Sequence, residues 1–347
     1  MSTLGTVLET ARRSKGYTQA QLADAVGTTQ PSIQRYENDL REPDEDTLRT
    51  IADALGVTPR FLKHASRPES AMAMHAHMRR RSTAPASIWR RLEAQLNMTR
   101  WHVSSLFEEV SIQASLPMPQ FDPEEETPEK CAAMVRMQWR IPIGPVRNLI
   151  DWLESAGIVV IEQDFGSPKV DGLSQWAGDH PVIIVNSKVP TDRKRLTLAH
   201  ELGHLVMHMH YAGDDLEDQA NAFAAEFLMP ASTIRPELKN LKLGKLIDLK
   251  RAWGTSMASL IERAYHLGLL IKDERTKFYR DLSRRGWRIN EPASDEIAPE
   301  VPKMTAAIAR SLREANLPPS DVASIVGFAT PGDNFILLDE RRGLRAI

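Results

Sequence analysis

What this 347-residue chain lacks narrows it first. It has a single cysteine, Cys131, which excludes a disulfide scaffold and any cysteine-rich zinc site and suits a reducing compartment. No apolar run approaches membrane-spanning length, and the first residues lack the apolar core of a secretion signal. A membrane partner is therefore not expected, and the cytoplasm is the expected location. There is no internal repeat and no glycine loop of the phosphate-cradling kind. Neither sign of charge dominates: 44 Lys and Arg against 46 Asp and Glu leave −2, so any case for nucleic acid must be local. With 26% charged and 42% hydrophobic residues the composition is that of a globular protein, long enough for two or three domains.

What is present is concentrated between Leu198 and His208. His200 and His204 are four residues apart, one turn apart on the same face of a helix. Two neutral imidazoles so placed can grip one Zn²⁺, which takes nitrogen ligands at about 2.0–2.1 Å. Glu201 lies about 100° round the axis from His200, beside such a metal, where it can take a proton from water. Thr191-Asp192 offers an N-cap, and Leu196, Leu198, Ala199, Leu202, Leu205 and Val206 give the apolar stripe. The competing reading is a chance match on an amphipathic helix, so a third ligand matters.

Two residues compete for that place. Glu217 opens a second helical stretch, 217–229, closed by Pro230, on which Glu217, Asn221, Ala224 and Leu228 share a face. Glu217 can then reach the metal while Asn221 hydrogen-bonds one of its ligands, and the alanines at 220, 222, 224 and 225 allow close approach. The rival, His210, has the spacing of the third histidine in H-E-x-x-H-x-x-G-x-x-H, but Met207 stands where that pattern needs its glycine. An unbroken helix turns His210 about 80° from His200, which favours Glu217. His208 falls one turn beyond His204, as a partner of a ligand, a substrate-facing group or a solvated histidine.

The run Thr197-Leu198-Ala199-His200-Glu201-Leu202-Gly203-His204, followed by Glu217-x-x-Ala220-Asn221-x-Phe223-Ala224-Ala225-Glu226-x-Leu228-Met229-Pro230, closely resembles the ImmA/IrrE metallopeptidases. Ile141-Pro142-Ile143-Gly144-Pro145-Val146 and Glu154-Ser155-Ala156-Gly157-Ile158-Val159-Val160 extend the resemblance over about residues 129–290. It implies a gluzincin-like centre with one Zn²⁺, His200, His204 and Glu217 as ligands and Glu201 as base. It also implies a substrate: a DNA-bound repressor, cut under stress or during mobile-element induction.

Residues 1–64 read as five short helices. Leu4, Val7, Leu8 and Ala11 begin the pattern, Thr18 caps the second helix, Gly27 supplies the turn, and Pro31 is tolerated in the first turn of the third. The segment closely resembles the Cro/C1-type (XRE) helix-turn-helix domains, of λ-repressor-like fold. By position that resemblance makes Gln30 and Arg35 base readers, with Gln34 and Ser32 behind them and Gln19 on a phosphate. It also implies a double-stranded DNA operator and a homodimer across paired half-sites. Against this, residues 1–64 hold eight Lys/Arg and nine Asp/Glu, so a helical protein–protein module is the competing reading.

Residues 65–128 begin basic, with Arg79-Arg80-Arg81, pass through a helical segment near 88–110 and end in a Pro-rich acidic linker. Then follow 129–240, the metallopeptidase domain, and 241–290, a helical subdomain whose turn at Trp253-Gly254-Thr255-Ser256 suggests another helix-turn-helix. An acidic, Pro-containing linker at 291–302 opens the extension 291–347, in which one helix, 306–312, is expected. Strands are expected at 158–161, 172–176 and 182–186, the last being either a candidate edge for an extended substrate or, as its apolar run equally allows, an internal structural strand. The expected fold is multidomain and mainly α, with a small α+β zincin-like metallopeptidase core. The expected function is a DNA-binding transcriptional regulator with a zinc-dependent peptidase domain cleaving a repressor-type protein. The alternative is a non-catalytic regulator whose metallopeptidase-like domain senses a ligand or metal.

Overall fold

The computed structural model describes residues 3–63, 86–111, 113–166, 170–177, 180–209, 211 and 213–337, without the side chains of 86–89. Arg79-Arg80-Arg81 and His210 lie outside the described residues. The described residues are mostly helical with one small sheet, and the chain clusters into two compact units. One comprises residues 1–113, 175–182 and 303–347; the other comprises 114–174 and 183–302. No described helix is long and apolar enough to cross a membrane.

The first unit opens with α1 (Leu4–Lys15), α2 (Gln19–Ala25), α3 (Gln30–Glu37), α4 (Glu45–Leu55) and α5 (Pro59–Lys63). Local chemistry sets their ends. Thr3 and Asp44 cap α1 and α4, Thr18 and Gln21 form a capping box on α2, and Gly16 and Gly56 close α1 and α4 in the left-handed conformation. Val7, Leu8, Leu22, Ile33, Leu48, Ile51 and Leu62 fill the core between them. The helical segment expected near 88–110 is α6 (Ala86–Glu109), which lends Met98 and Trp101 to that same core.

The C-terminal extension differs from expectation. It has two helices among the described residues, α15 (Met304–Glu314) and α16 (Pro319–Val326), and the residues after α16 pair with the α4–α5 turn. Thr58 N–H donates to Gly327 O and Ala329 N–H to Gly56 O, at 2.9 and 3.1 Å. Beside them the buried His102 ring stacks between Phe61 and Phe328, with centroids 4.2 and 3.9 Å away, and its Nδ1–H donates to Val326 O. Burial pushes the His102 pKa down to about 3, against the weaker opposing effect of that hydrogen bond.

The sign of the resulting pH dependence follows. The folded ring resists protonation while the unfolded one titrates near 6.5, so stability is lost as pH falls from about 6.5 towards 3. Acidification from pH 7 to 5 is expected to cost this unit about 2 kcal/mol. Thermal melts of the chain and of His102→Phe over that range check it, the variant losing this component of the slope.

The second unit contains α7 (Pro128–Gln138), α8 (Leu149–Ser155), β1 (Val159–Gln163), the first half of β2 (Gly172–Ala177), the last residues of β3 (His180–Asn186), α9 (Thr191–Met207) and α10 (Leu216–Leu228). A short turn, α11 (Ala231–Ile234), then leads to α12 (Leu243–Trp253), α13 (Met257–His266) and α14 (Lys272–Arg284). The strands pair in the order β1-β3-β2. β3 is therefore internal, which decides against Val182–Asn186 as an edge for substrate and for the structural alternative that its nearly unbroken apolar run allowed. Among the described residues, the edge strands of this sheet are β1 and β2.

Two more expectations are corrected. Asp192 does not cap α9, which starts at Thr191 after Pro190 with no side-chain cap. Its carboxylate instead meets the fully buried ammonium of Lys250 at 2.6 Å. Residues 291–302, read as a linker, supply the rest of that pocket: Glu291 and Ser294 lie 2.8 and 2.7 Å from Lys250 Nζ. Glu291 also accepts from Met257 N–H at the start of α13, and Glu300 pairs with Arg195. An acidic run with three prolines looks like a linker until a buried lysine is found to need its carboxylates.

Candidate metal centre and nucleic-acid interface

α9 and α10 pack face to face because both present little bulk. Gly203 lies against Phe223, where a Cβ would stand 3.1 Å from the ring, and Ala220 and Ala224 are fully buried. That approach brings together three of the residues singled out above. His200 Nε2 and His204 Nε2 are 3.0 Å apart, and the Glu217 carboxylate lies 3.5 Å from the first and 3.3 Å from the second. Their ligand atoms all fall within 4.8 Å of one another. α9 ends at Met207, three residues before His210.

The triangle fits a cation by chemistry as well as by size. Asn221 Oδ1 lies 2.9 Å from His200 Nδ1 and can only accept, so His200 carries its proton on Nδ1. Its Nε2 is then a lone pair, set against a second imidazole nitrogen and an acceptor-only carboxylate. Such a set offers a divalent cation two imidazole nitrogens and a carboxylate oxygen within reach of one point. The edges of a tetrahedron about zinc, with ligands at 2.0–2.1 Å, are about 3.3 Å, close to the three separations found.

Glu201 is buried beside the triangle and outside it. The Ser174 hydroxyl, on β2, donates to Glu201 Oε2 at 2.7 Å. Gly172, two residues earlier on the same face of β2, makes that contact possible, because a Cβ there would stand 2.4 Å from Thr197 Cγ2. Ser174 was missed from the sequence: a lone serine in a strand carries no spacing signal that points at a helix 27 residues away. His208 lies behind His204, with Nδ1 at 2.9 Å from His204 Nδ1 and Nε2 at 2.8 Å from Gln219 Oε1. Cys131 takes no part; burial, aided by Glu126, pushes its thiol up to about 11.

In the first unit, α3 buries Ile33, Tyr36 and Glu37 and leaves Gln30, Gln34 and Arg35 exposed. Ser32 is half-buried, with its hydroxyl 2.9 Å from that of Thr29. Gln19 and Gln30 meet across the turn: Gln30 Nε2 donates to Gln19 Oε1 at 2.9 Å, and Gln19 Nε2 donates to Glu37 Oε2 at 2.8 Å. Glu37 is held in turn by Arg12, at 2.5 and 2.9 Å. This buried pair, invisible as a motif, ties α1 to the end of α3, and Gln19 joins the start of α2 to the same carboxylate. Arg12→Ala is expected to strand Glu37 and cost the unit about 3–5 kcal/mol, read from denaturant unfolding.

The two sites correspond to two known kinds of domain. Residues 8–62 match the profile described as Helix-turn-helix, and residues 153–265 match the one described as IrrE N-terminal-like domain. The chain thus joins an XRE-type helix-turn-helix domain to an ImmA/IrrE-type metallopeptidase domain. Among its relatives, the radiation response metalloprotease IrrE of Deinococcus deserti is 40% identical over 70 residues, 16% of this chain and 25% of that protein. The HTH-type transcriptional regulator ImmR of Bacillus subtilis is 36% identical over 59 residues, 17% of this chain and 46% of its own. The SPbeta prophage-derived uncharacterized HTH-type transcriptional regulator YonR, also of Bacillus subtilis, is 41% identical over 58 residues, 17% and 54% of the two chains. The chain spans from 25% to 54% of the length of these curated relatives.

Proposed function

We propose that the protein is a DNA-binding transcriptional regulator that cleaves a repressor-type protein with a zinc peptidase centre, in a stress or mobile-element response. The observation that carries the reading is the convergence of His200, His204 and Glu217, with Glu201 beside them. His200, His204 and Glu217 would hold one Zn²⁺. When bound, the ion supplies Lewis acidity, making water more acidic and a carbonyl more electrophilic.

Glu201, steadied by Ser174, accepts the proton of the attacking water and passes it to the nitrogen of the leaving amine. The C–N bond breaks, the water oxygen stays on the new carboxyl group, and Glu201 returns to its ionised form. Burial of Glu201 and His200 keeps competing water from the transfer. α3 lies in the major groove, with Gln30 and Arg35 reading base edges, Gln34 and Ser32 behind them, and Gln19 on a phosphate. Two copies bind as a homodimer over half-sites one helical turn apart.

Incubation of the purified chain with helix-turn-helix repressors from a cell that carries it, with and without chelator, tests the reading. Chelator-sensitive cleavage of one repressor is expected. An intact repressor set in the presence of zinc-loaded protein would overturn the peptidase function and leave a sensing role.

A further inference from the structure

A line of hydrogen bonds leaves the metal centre behind His204 and ends at solvent. His204 Nδ1 lies 2.9 Å from His208 Nδ1, His208 Nε2 lies 2.8 Å from Gln219 Oε1, and Gln219 Nε2 lies 2.7 Å from Asp215 Oδ2. Its polarity is set from the far end. A carboxylate only accepts, so Gln219 turns its amide nitrogen to Asp215 and its carbonyl to His208. That carbonyl also only accepts, so His208 carries a proton on Nε2. With that one proton on the ring, His208 Nδ1 is an acceptor, which matches the 2.9 Å approach of His204 Nδ1 as its donor. His204 Nε2 is left as a lone pair, aimed at His200 Nε2 and Glu217.

We infer that Asp215, Gln219 and His208 are positioning residues that lock the tautomer and ring orientation of His204 for metal binding. The inference rests on the reading of His200, His204 and Glu217 as a zinc centre. It gives the two histidines separate supports, both from α10: Asn221 behind His200, and Gln219, through His208, behind His204. α10 therefore supplies a ligand, Glu217, and the two side chains, Asn221 and Gln219, on which the orientation of the other two depends. It also gives His208 a role. At 3% exposure, with both ring nitrogens engaged, it backs a ligand and does not face a substrate.

Zinc affinity by chelator competition, with histidine tautomers of the metal-free protein by proton–nitrogen NMR, tests this. Gln219→Leu is expected to weaken zinc binding by about 10–100-fold and to let His204 populate both tautomers. The exchanged pair, Asp215→Asn with Gln219→Glu, keeps an acceptor for His208 and a donor for residue 219, and is expected to restore both readouts. If Gln219→Leu binds zinc as wild type does while Glu217→Ala loses it, the relay is wrong and the centre stands. If Glu217→Ala also keeps its zinc, the centre itself is misread. A loss in Gln219→Leu that the exchanged pair does not restore, together with a lower melting temperature without metal, marks a packing role and also overturns the inference.

Discussion

Glu201→Gln is expected to keep its zinc and to lose peptide cleavage by about 10²–10⁴-fold. The two parts of that result come from different atoms. Glu201 is not one of the three groups whose ligand atoms converge, so removing its charge leaves His200, His204 and Glu217 in place. Glutamine has nearly the same shape, and its amide oxygen still accepts from Ser174 as Glu201 Oε2 does. What it cannot do is take a proton from water and release it to an amine. Cleavage rate and metal content measured on one preparation separate the two. A variant that cuts at the wild-type rate removes Glu201 from the mechanism, and one that arrives without zinc makes Glu201 part of the centre's structure.

The second large effect concerns the third ligand. Glu217→Ala is expected to weaken zinc binding by at least about 100-fold, because the roughly 10–16 kcal/mol of a structural zinc site with four protein ligands corresponds to about 3 kcal/mol for each ligand lost. The remaining pair, with its Nε2 atoms 3.0 Å apart, has no carboxylate to balance a divalent charge. His210→Ala is the matching control. α9 closes at Met207, and the structure gives the place beside both imidazoles to Glu217, so this variant is expected to bind zinc as wild type does. Chelator competition on the two variants side by side decides between the candidates that the sequence raised. Loss with His210→Ala and retention with Glu217→Ala would reverse the assignment.

The parts of this site that could be read in advance are those whose signal is local and periodic. The four-position step from His200 to His204 fixes a shared helix face, and the step from Glu217 to Asn221 does the same on the next helix. The α1–α5 segment was legible for a similar reason: caps at Thr18 and glycines at 16 and 56 punctuate an apolar period. What could not be read depends on partners far apart in the chain. The run Val182–Val185 is equally apolar at an edge or in the middle of a sheet, and only the pairing order makes it internal. Asp192 has the look of an N-cap until Lys250, 58 residues on, claims its carboxylate. The acidic stretch at 291–302 and the serine at 174 act through contacts of the same long range. His208 sits between the two cases: its helix position was visible, while the glutamine that fixes its proton was not.

Native mass spectrometry of the chain, purified without added metal or chelator, bears most directly on the central claim. The expected mass is that of the polypeptide plus one zinc ion, falling to the bare polypeptide in His200→Ala and Glu217→Ala. A wild-type chain that carries no metal even after incubation with Zn²⁺, or variants that hold zinc as tightly as wild type, would contradict a metal centre built by α9 and α10.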